Sequence, residues 1–289
     1  MFQDNCFFEE EYSSIIKVTG PDKFGFLQGI ISNDVEILKT KLSLYAAILT
    51  PQGKFLSDFI ISTYEDNILI EIKSKNLDLI LKKLTMFKLR SNVTFEVLND
   101  FKIYLLNEGS LKIFEKVKYK KTFEDPRFKN LFHRAYIFGK QKVSNLENNN
   151  FSLLKKDQYQ SLRLFHAIPD FSLDAISNKS LLMEMRFNYL NGISWNKGCY
   201  LGQEITARMY YRKITKRQLS HVKIKFKTFI DEKILLDGNE VGFLTSNDKK
   251  YGLAYISKNI LEDCTNNFFQ SGDSTLSISD PWWSTNSNS

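Results

Sequence analysis

Trp195-Asn196-Lys197-Gly198-Cys199-Tyr200-Leu201-Gly202-Gln203-Glu204-Ile205-Thr206-Ala207-Arg208 is the most informative stretch of the chain. Two glycines bracket a cysteine, and a lysine stands two positions before it. Gly198 and Gly202 allow positive φ and close backbone approach, so a tight loop is expected. Lys197 brings a positive charge into the neighbourhood of the thiol. A helix opening at Gln203 would add the exposed amides of its first turn. Both effects favour a thiolate, the form of cysteine that attacks electrophiles and binds metals. The competing reading of Cys199 is a small buried hydrophobe, as most free cysteines are.

On either side of this stretch the periodicities alternate. The run Ser14–Val18 is β-branched and reads as a strand, and Phe24, Leu27 and Ile30 or Ile31 recur at helical spacing after it. Leu44–Thr50 and Phe55–Thr63 flank Pro51-Gln52-Gly53-Lys54, the pattern of a β-hairpin. Leu77, Ile80, Leu81, Leu84 and Phe87 define an amphipathic helix, and Val93–Val97 and Phe101–Leu106 return to period two. The Lys-rich stretch Lys112–Lys129 reads as loop and edge structure. Ala135–Gly139 reads as a strand, and residues 145–150 as a polar break before a helix carrying Leu153, Leu154 and Leu162. Hairpins alternating with single helices imply an α+β layered domain with antiparallel sheets. Short strands near 219–227, 233–236, 240–246 and 251–256 fit a small β-barrel. The expected organisation is a domain over residues 1–215, a C-terminal barrel over 216–262 and a disordered tail over 263–289, where Ser, Asn, Thr and Asp dominate.

Composition narrows the function classes. The 289 residues hold 40 Lys+Arg against 33 Asp+Glu, a net charge of +7. That is a modest pointer to anionic partners. Three cysteines and three histidines are too few and too scattered for a disulfide scaffold or a classical zinc enzyme. Nowhere do about 18 consecutive apolar residues occur, so no membrane-spanning helix is expected. The acidic start lacks an export signal, and the expected location is the cytoplasm, or the mitochondrial matrix in a eukaryote.

Lys197-Gly198-Cys199-Tyr200-Leu201-Gly202-Gln203-Glu204, followed by residues 206–212 (TARMYYR), resembles the K-G-C-Y-x-G-Q-E signature of the YgfZ family of folate-binding proteins. Those are relatives of the glycine cleavage T-protein, an aminomethyltransferase. The resemblance extends over residues 18–35, 45–61, 162–170, 181–195 and 240–256, so it covers about residues 14–258. It implies a T-protein-like fold and a tetrahydrofolate site. It also implies a role in assembly or repair of [4Fe–4S] enzymes, tRNA-modifying ones included, with Cys199 as the reactive residue. Iron–sulfur enzymes or assembly proteins are the implied partners.

Residue by residue, Asp58 stands where the T-protein has its catalytic aspartate, with Ser57 replacing a second one. Glu184 takes the position of a carboxylate that can pair with the pterin's amidine-like N–H groups. Asn33 and Asp34 are placed at the same pocket, and an ordinary helix-end turn is the alternative for them. Arg163 and Arg208 are candidates for the folate's glutamate carboxylates. Two further readings stay open. One is a true aminomethyltransferase, although the T-protein lacks the signature and is longer. The other is an RNA-binding module, with a tRNA contact through the basic and aromatic series from Arg208 to Lys227. For Lys223, Lys225 and Lys227 a solvated strand face with alternating lysines is the preferred reading.

Overall fold

The structure is a computed structural model that describes residues 5–114, 117–128, 130–139, 151–263 and 268–284. The polar break at 145–150, Cys264 and residues 285–289 lie outside the described residues. The chain forms two compact units, neither contiguous in sequence: Met1–Ile48, Leu56–Lys156 and Asn191–Leu201 make the first, and Leu49–Phe55, Asp157–Leu190 and Gly202–Ser289 the second.

The first unit runs β1 (Cys6–Glu9), β2 (Ser13–Thr19), α1 (Lys23–Gln28), β3 (Ser43–Leu49), β4 (Phe55–Tyr64), β5 (Asn67–Lys73) and α2 (Leu77–Lys88). It continues with β6 (Thr94–Val97), β7 (Phe101–Leu106), β8 (Lys120–Glu124), β9 (His133–Phe138) and β10 (Ser152–Leu153). Two five-stranded sheets result, ordered β3-β4-β5-β2-β6 and β10-β1-β7-β9-β8. Strand alternation decides what each face buries. In β5, Ile68, Ile70 and Ile72 join a core with α1 and α2. Glu71 points the other way, where Arg134 and Tyr136 of β9 meet its carboxylate. Ile80 and Leu84 seat α2 on the same core, as the helical spacing requires. The Lys-rich stretch supplies the edge strand β8. Leu153, expected in a helix, instead sits in β10, which pairs in parallel with β1.

The second unit holds α3 (Lys156–Phe165), α4 (Phe171–Asp174), α5 (Gln203–Arg212), β11 (Arg217–Lys225), β12 (Lys233–Leu236), β13 (Asn239–Asn247), β14 (Tyr251–Ser257) and α6 (Lys258–Asp263). It ends with β15 (Phe269–Ser271) and β16 (Ser274–Ser279). The six strands close into a barrel ordered β11-β14-β13-β12-β15-β16. The expected disordered tail is therefore corrected: residues 269–279 supply two of its staves. Leu276 is fully buried and Phe269 nearly so. Beyond them Trp282 and Trp283 donate their indole N–H groups to the carbonyls of His166 and Ala167, both at 2.8 Å. A cut at residue 215 is also not where the chain divides, because residues 157–190 and 202–212 belong with the barrel. Leu219 N–H bonds the Glu184 carbonyl (2.9 Å), and Tyr255 bonds the Asp174 carbonyl (2.9 Å).

Candidate functional site

The signature loop is built on the turn that follows α1. Ser32 Oγ donates to the Gly192 carbonyl (2.6 Å), Ser194 N–H to the Ser32 carbonyl (3.1 Å) and Leu201 N–H to the Gly29 carbonyl (3.0 Å). Asn33, only 5% exposed, donates its carboxamide N–H groups to the carbonyls of Tyr45 (2.7 Å) and Asn191 (2.8 Å). Its oxygen accepts the Asp34 N–H. Asp34 caps a short 3-10 turn at Val35–Lys39 and accepts from Gln28. Asn33, buried, and Asp34, partly exposed, thus form the platform of the loop, as the helix-end alternative expects.

Lys197 has a different role from the one its position suggests. Its Nζ donates to the carbonyls of Gln28 (2.8 Å), Ile31 (2.8 Å) and Asn33 (2.9 Å), which uses all three ammonium donors. The ammonium also lies 5.0 Å from the centroid of the Tyr200 ring. Burial pulls its pKa down to about 8, against the nearby Asp34 carboxylate. Tyr200 is buried, whereas Gly198 and Cys199 stand exposed between these two anchors. The thiol of Cys199 is free and open to solvent, which rejects its reading as a core residue.

The two glycines also separate. Gly202 has φ +78°, and a Cβ there would lie 2.3 Å from the Thr50 carbonyl oxygen and 2.9 Å from Leu49 Cβ. Gly53 of the β3–β4 turn has φ +72° and meets Ile205 of α5 in the same way. These two glycines let the start of α5 press on the hairpin turn, so α5 begins at Gln203 as expected. Gly198 lacks a positive φ, and a Cβ there would touch nothing within 4 Å. Gly202→Ala is therefore expected to cost about 2 kcal/mol in denaturant unfolding. Gly198→Ala should stay within about 0.5 kcal/mol, and equal losses for both would refute this division of labour.

In the first unit, Asp58 on β4 is partly exposed and its Oδ2 accepts the Tyr45 hydroxyl at 2.7 Å. Ser57 points inward, fully buried, and accepts from Asn76. In the second unit, Glu184 is half-buried, and its carboxylate makes no hydrogen bond or ion pair with the described residues. Burial raises its pKa above the usual carboxylate range, opposed by Arg217, Lys54 and Lys216. Arg163 is corrected. It is 1% exposed and bonds Asp174 (2.9 Å) and the Ile168 carbonyl (3.1 Å), so it is not an arm for glutamate carboxylates. Asp174, which the sequence reading missed, in turn accepts from Thr245 (2.8 Å) and Ser246 of β13.

Arg208 lies on the exposed face of α5 with Glu204 one turn earlier. Lys223 and Lys225 alternate with buried Val222 and Ile224 along β11, and Lys227 is exposed just beyond it. That is the solvated strand face, and it gives the RNA reading no support. Among the described residues no three His, Cys, Asp or Glu side chains gather as a metal-ligand set. No helix is long and apolar enough to cross a membrane.

No family model matches the chain. In sequence it is similar to the iron–sulfur cluster assembly factor IBA57 homologue, mitochondrial, of Neurospora crassa, 27% identical over 225 residues, which covers 71% of this chain and 50% of that protein. The Dictyostelium discoideum homologue is 26% identical, covering 74% and 61%. Mouse IBA57 is 25% identical, covering 73% and 64%. The chain thus spans about half to two-thirds of the length of these curated relatives. In structure it is similar to glycine cleavage system aminomethyltransferase T of Bartonella henselae, with a TM-score of 0.79 at 13% identity over 97% of this chain and 86% of that one. The fold is accordingly that of aminomethyltransferase T, closed by a six-stranded barrel, and the sequence relatives are iron–sulfur cluster assembly factors.

Proposed function

We propose that the chain is a tetrahydrofolate-binding accessory factor for the assembly or repair of [4Fe–4S] enzymes, acting through Cys199. The observation that carries this reading is the exposed thiol on a loop whose neighbours, Lys197 and Tyr200, are both anchored inward. Such a loop presents sulfur to another molecule while keeping its own position. One thiolate is not enough for a stable cluster, whose irons are held by several. Any cluster contact therefore draws its other ligands from a partner, an iron–sulfur enzyme or assembly protein, and the cluster is cargo. Similarity to IBA57 factors supports the same class of partner. The compartment is the one in which such partners work, the mitochondrial matrix if the chain is eukaryotic and the cytoplasm otherwise.

The folate part of the proposal rests on two carboxylates. Asp58 accepts the Tyr45 hydroxyl, and Glu184 is half-buried with no hydrogen bond to its carboxylate among the described residues, the state expected of a group awaiting paired N–H donors. Tetrahydrofolate, when bound, supplies the reduced pterin nitrogens that carry one-carbon groups. Calorimetric titration with tetrahydrofolate should show saturable binding by the wild type. Asp58→Asn and Glu184→Gln should each weaken it on the order of tenfold or more, as loss of a charged hydrogen-bond partner does. Absence of binding, or undiminished affinity in both variants, would remove folate from the assignment.

The fold and Asp58 favour one further reading, a folate-dependent aminomethyltransferase. Tetrahydrofolate-dependent release of ammonia from an aminomethyl-lipoyl carrier would establish it, and the accessory-factor reading predicts none.

A further inference from the structure

The last turn of α5 and the segment leading into β11 carry charge of one sign. Between Arg208 and Arg217 five of the ten residues are cations, Arg208, Arg212, Lys213, Lys216 and Arg217, and none is acidic. All five are exposed, and none forms an ion pair among the described residues. Two carboxylates lie near them. Glu204 stands one turn before Arg208, and half-buried Glu184 faces Lys216 and Arg217, yet neither closes a salt bridge. A cation at a helix C-terminus is favourable in itself, which explains Arg212 and Lys213. Lys216 and Arg217 lie beyond the helix, where that field has faded.

Apolar side chains share this surface. Thr206 and Met209 turn one face of α5 inward, and Tyr211 is left 69% exposed and Ile214, just past the helix, 47%. The patch is held at both ends. Lys213 N–H caps the helix on the Met209 and Tyr210 carbonyls, and Ile214 N–H also reaches the Met209 carbonyl (3.3 Å). The Lys216 carbonyl accepts the Lys258 N–H at 2.9 Å. A fixed surface that sets exposed apolar groups among mutually repelling cations is completed by a partner bringing carboxylates and apolar side chains.

Nucleic acid is the other anionic partner for such a patch, and it asks for aromatic faces open to bases. Tyr210 and Tyr211 instead meet edge to face, with centroids 5.2 Å apart and planes at 75°, which limits the stacking surface of the pair. Tyr and Arg side chains around an aliphatic one match the composition of a protein–protein interface.

We propose that this surface docks an acidic face of a partner protein, the iron–sulfur enzyme or assembly protein that the chain serves. The partner's carboxylates pair with Arg212, Lys213 and Lys216, and its apolar side chains cover Tyr211 and Ile214. The class of partner rests on the accessory-factor reading, and its acidic character on the charge of the surface.

The test uses the full chain in a strain that lacks it, with [4Fe–4S] enzyme activity as the readout at matched protein level. Arg212→Glu combined with Lys213→Glu should lower rescue about tenfold or more, because like charges then meet across the interface. The neutral pair Arg212→Gln with Lys213→Gln should lower it about threefold, and Tyr211→Ala about tenfold. The last two add no carboxylate to the helix end, so they decide the outcome if the reversed pair melts early. Tetrahydrofolate affinity should stay at the wild-type value in every variant. Full rescue by the neutral pair and by Tyr211→Ala overturns the proposal. So does a fall in folate affinity parallel to the loss of rescue, which would make the patch an anion subsite for folate. A gel shift of total tRNA by the wild type at about 0.15 M salt, lost in the reversed pair, would assign the surface to RNA and overturn it too. Failure of the wild type itself to rescue removes the accessory-factor reading, and this partner with it.

Discussion

Replacing Lys197 with methionine is expected to cost about 3 kcal/mol and to lower the thermal midpoint by roughly 5–10 °C. Methionine fills the space of the lysine stem but donates nothing, so the carbonyls of Gln28, Ile31 and Asn33 lose a common charged partner. Gln28 is the last residue of α1, where carbonyls have no helical N–H to accept and a positive charge is favoured. Partial exposure lets water replace some of what is lost, which keeps the estimate below the sum of three charged bonds. The pH dependence provides a second check. The folded protein releases the Lys197 proton near pH 8 and the unfolded chain near 10.5. Over that window the unfolded state binds more protons, so this group makes stability rise with pH. The wild type should show that slope, and the methionine variant should lack it. Equal thermal midpoints at pH 7 would mean that the loop does not depend on this anchor.

Lys197 also shows how far the sequence could be read. Spacing put a lysine two positions before a cysteine, and the expectation that its charge serves the thiol followed from proximity along the chain. Sequence separation does not fix side-chain direction, and here the nearest acceptors were backbone carbonyls from residues 28–33, which have no signature in composition. Arg163 is a similar case: an arginine on the buried face of α3 satisfied by Asp174, a partner eleven positions later with no periodic relation to it. The hairpin and α2 were legible because strand and helix periods bury alternate or every third to fourth residue, and the core is made of those residues. The tail was misread because β16, Ser-Thr-Leu-Ser-Ile-Ser, has period two among polar residues, which hides it from composition. Its Gly272-Asp273 turn, with φ +60° at the glycine between paired Ser271 and Ser274, was nonetheless a hairpin signal in plain view.

Cys199→Ser is expected to leave the fold untouched and to abolish support of [4Fe–4S] enzymes in cells. The side chain is exposed on the loop, and its neighbour Gly198 has open space around it, so the change should fall within about 0.5 kcal/mol of the wild type. The chemistry changes far more. Sulfur is a strong nucleophile and a good ligand for iron once ionised, whereas a serine hydroxyl supplies essentially no alkoxide and is a poor ligand for iron. Volume and hydrogen bonding are nearly conserved, so loss of function with an intact melting curve assigns the role to sulfur itself. The measurement is rescue of a null strain, read as [4Fe–4S] enzyme activity, alongside thermal unfolding of the purified variant. Full rescue by the serine variant would show that the anchored loop presents a surface and not a sulfur, and the role of the chain would then have to be sought in the carboxylates of Asp58 and Glu184.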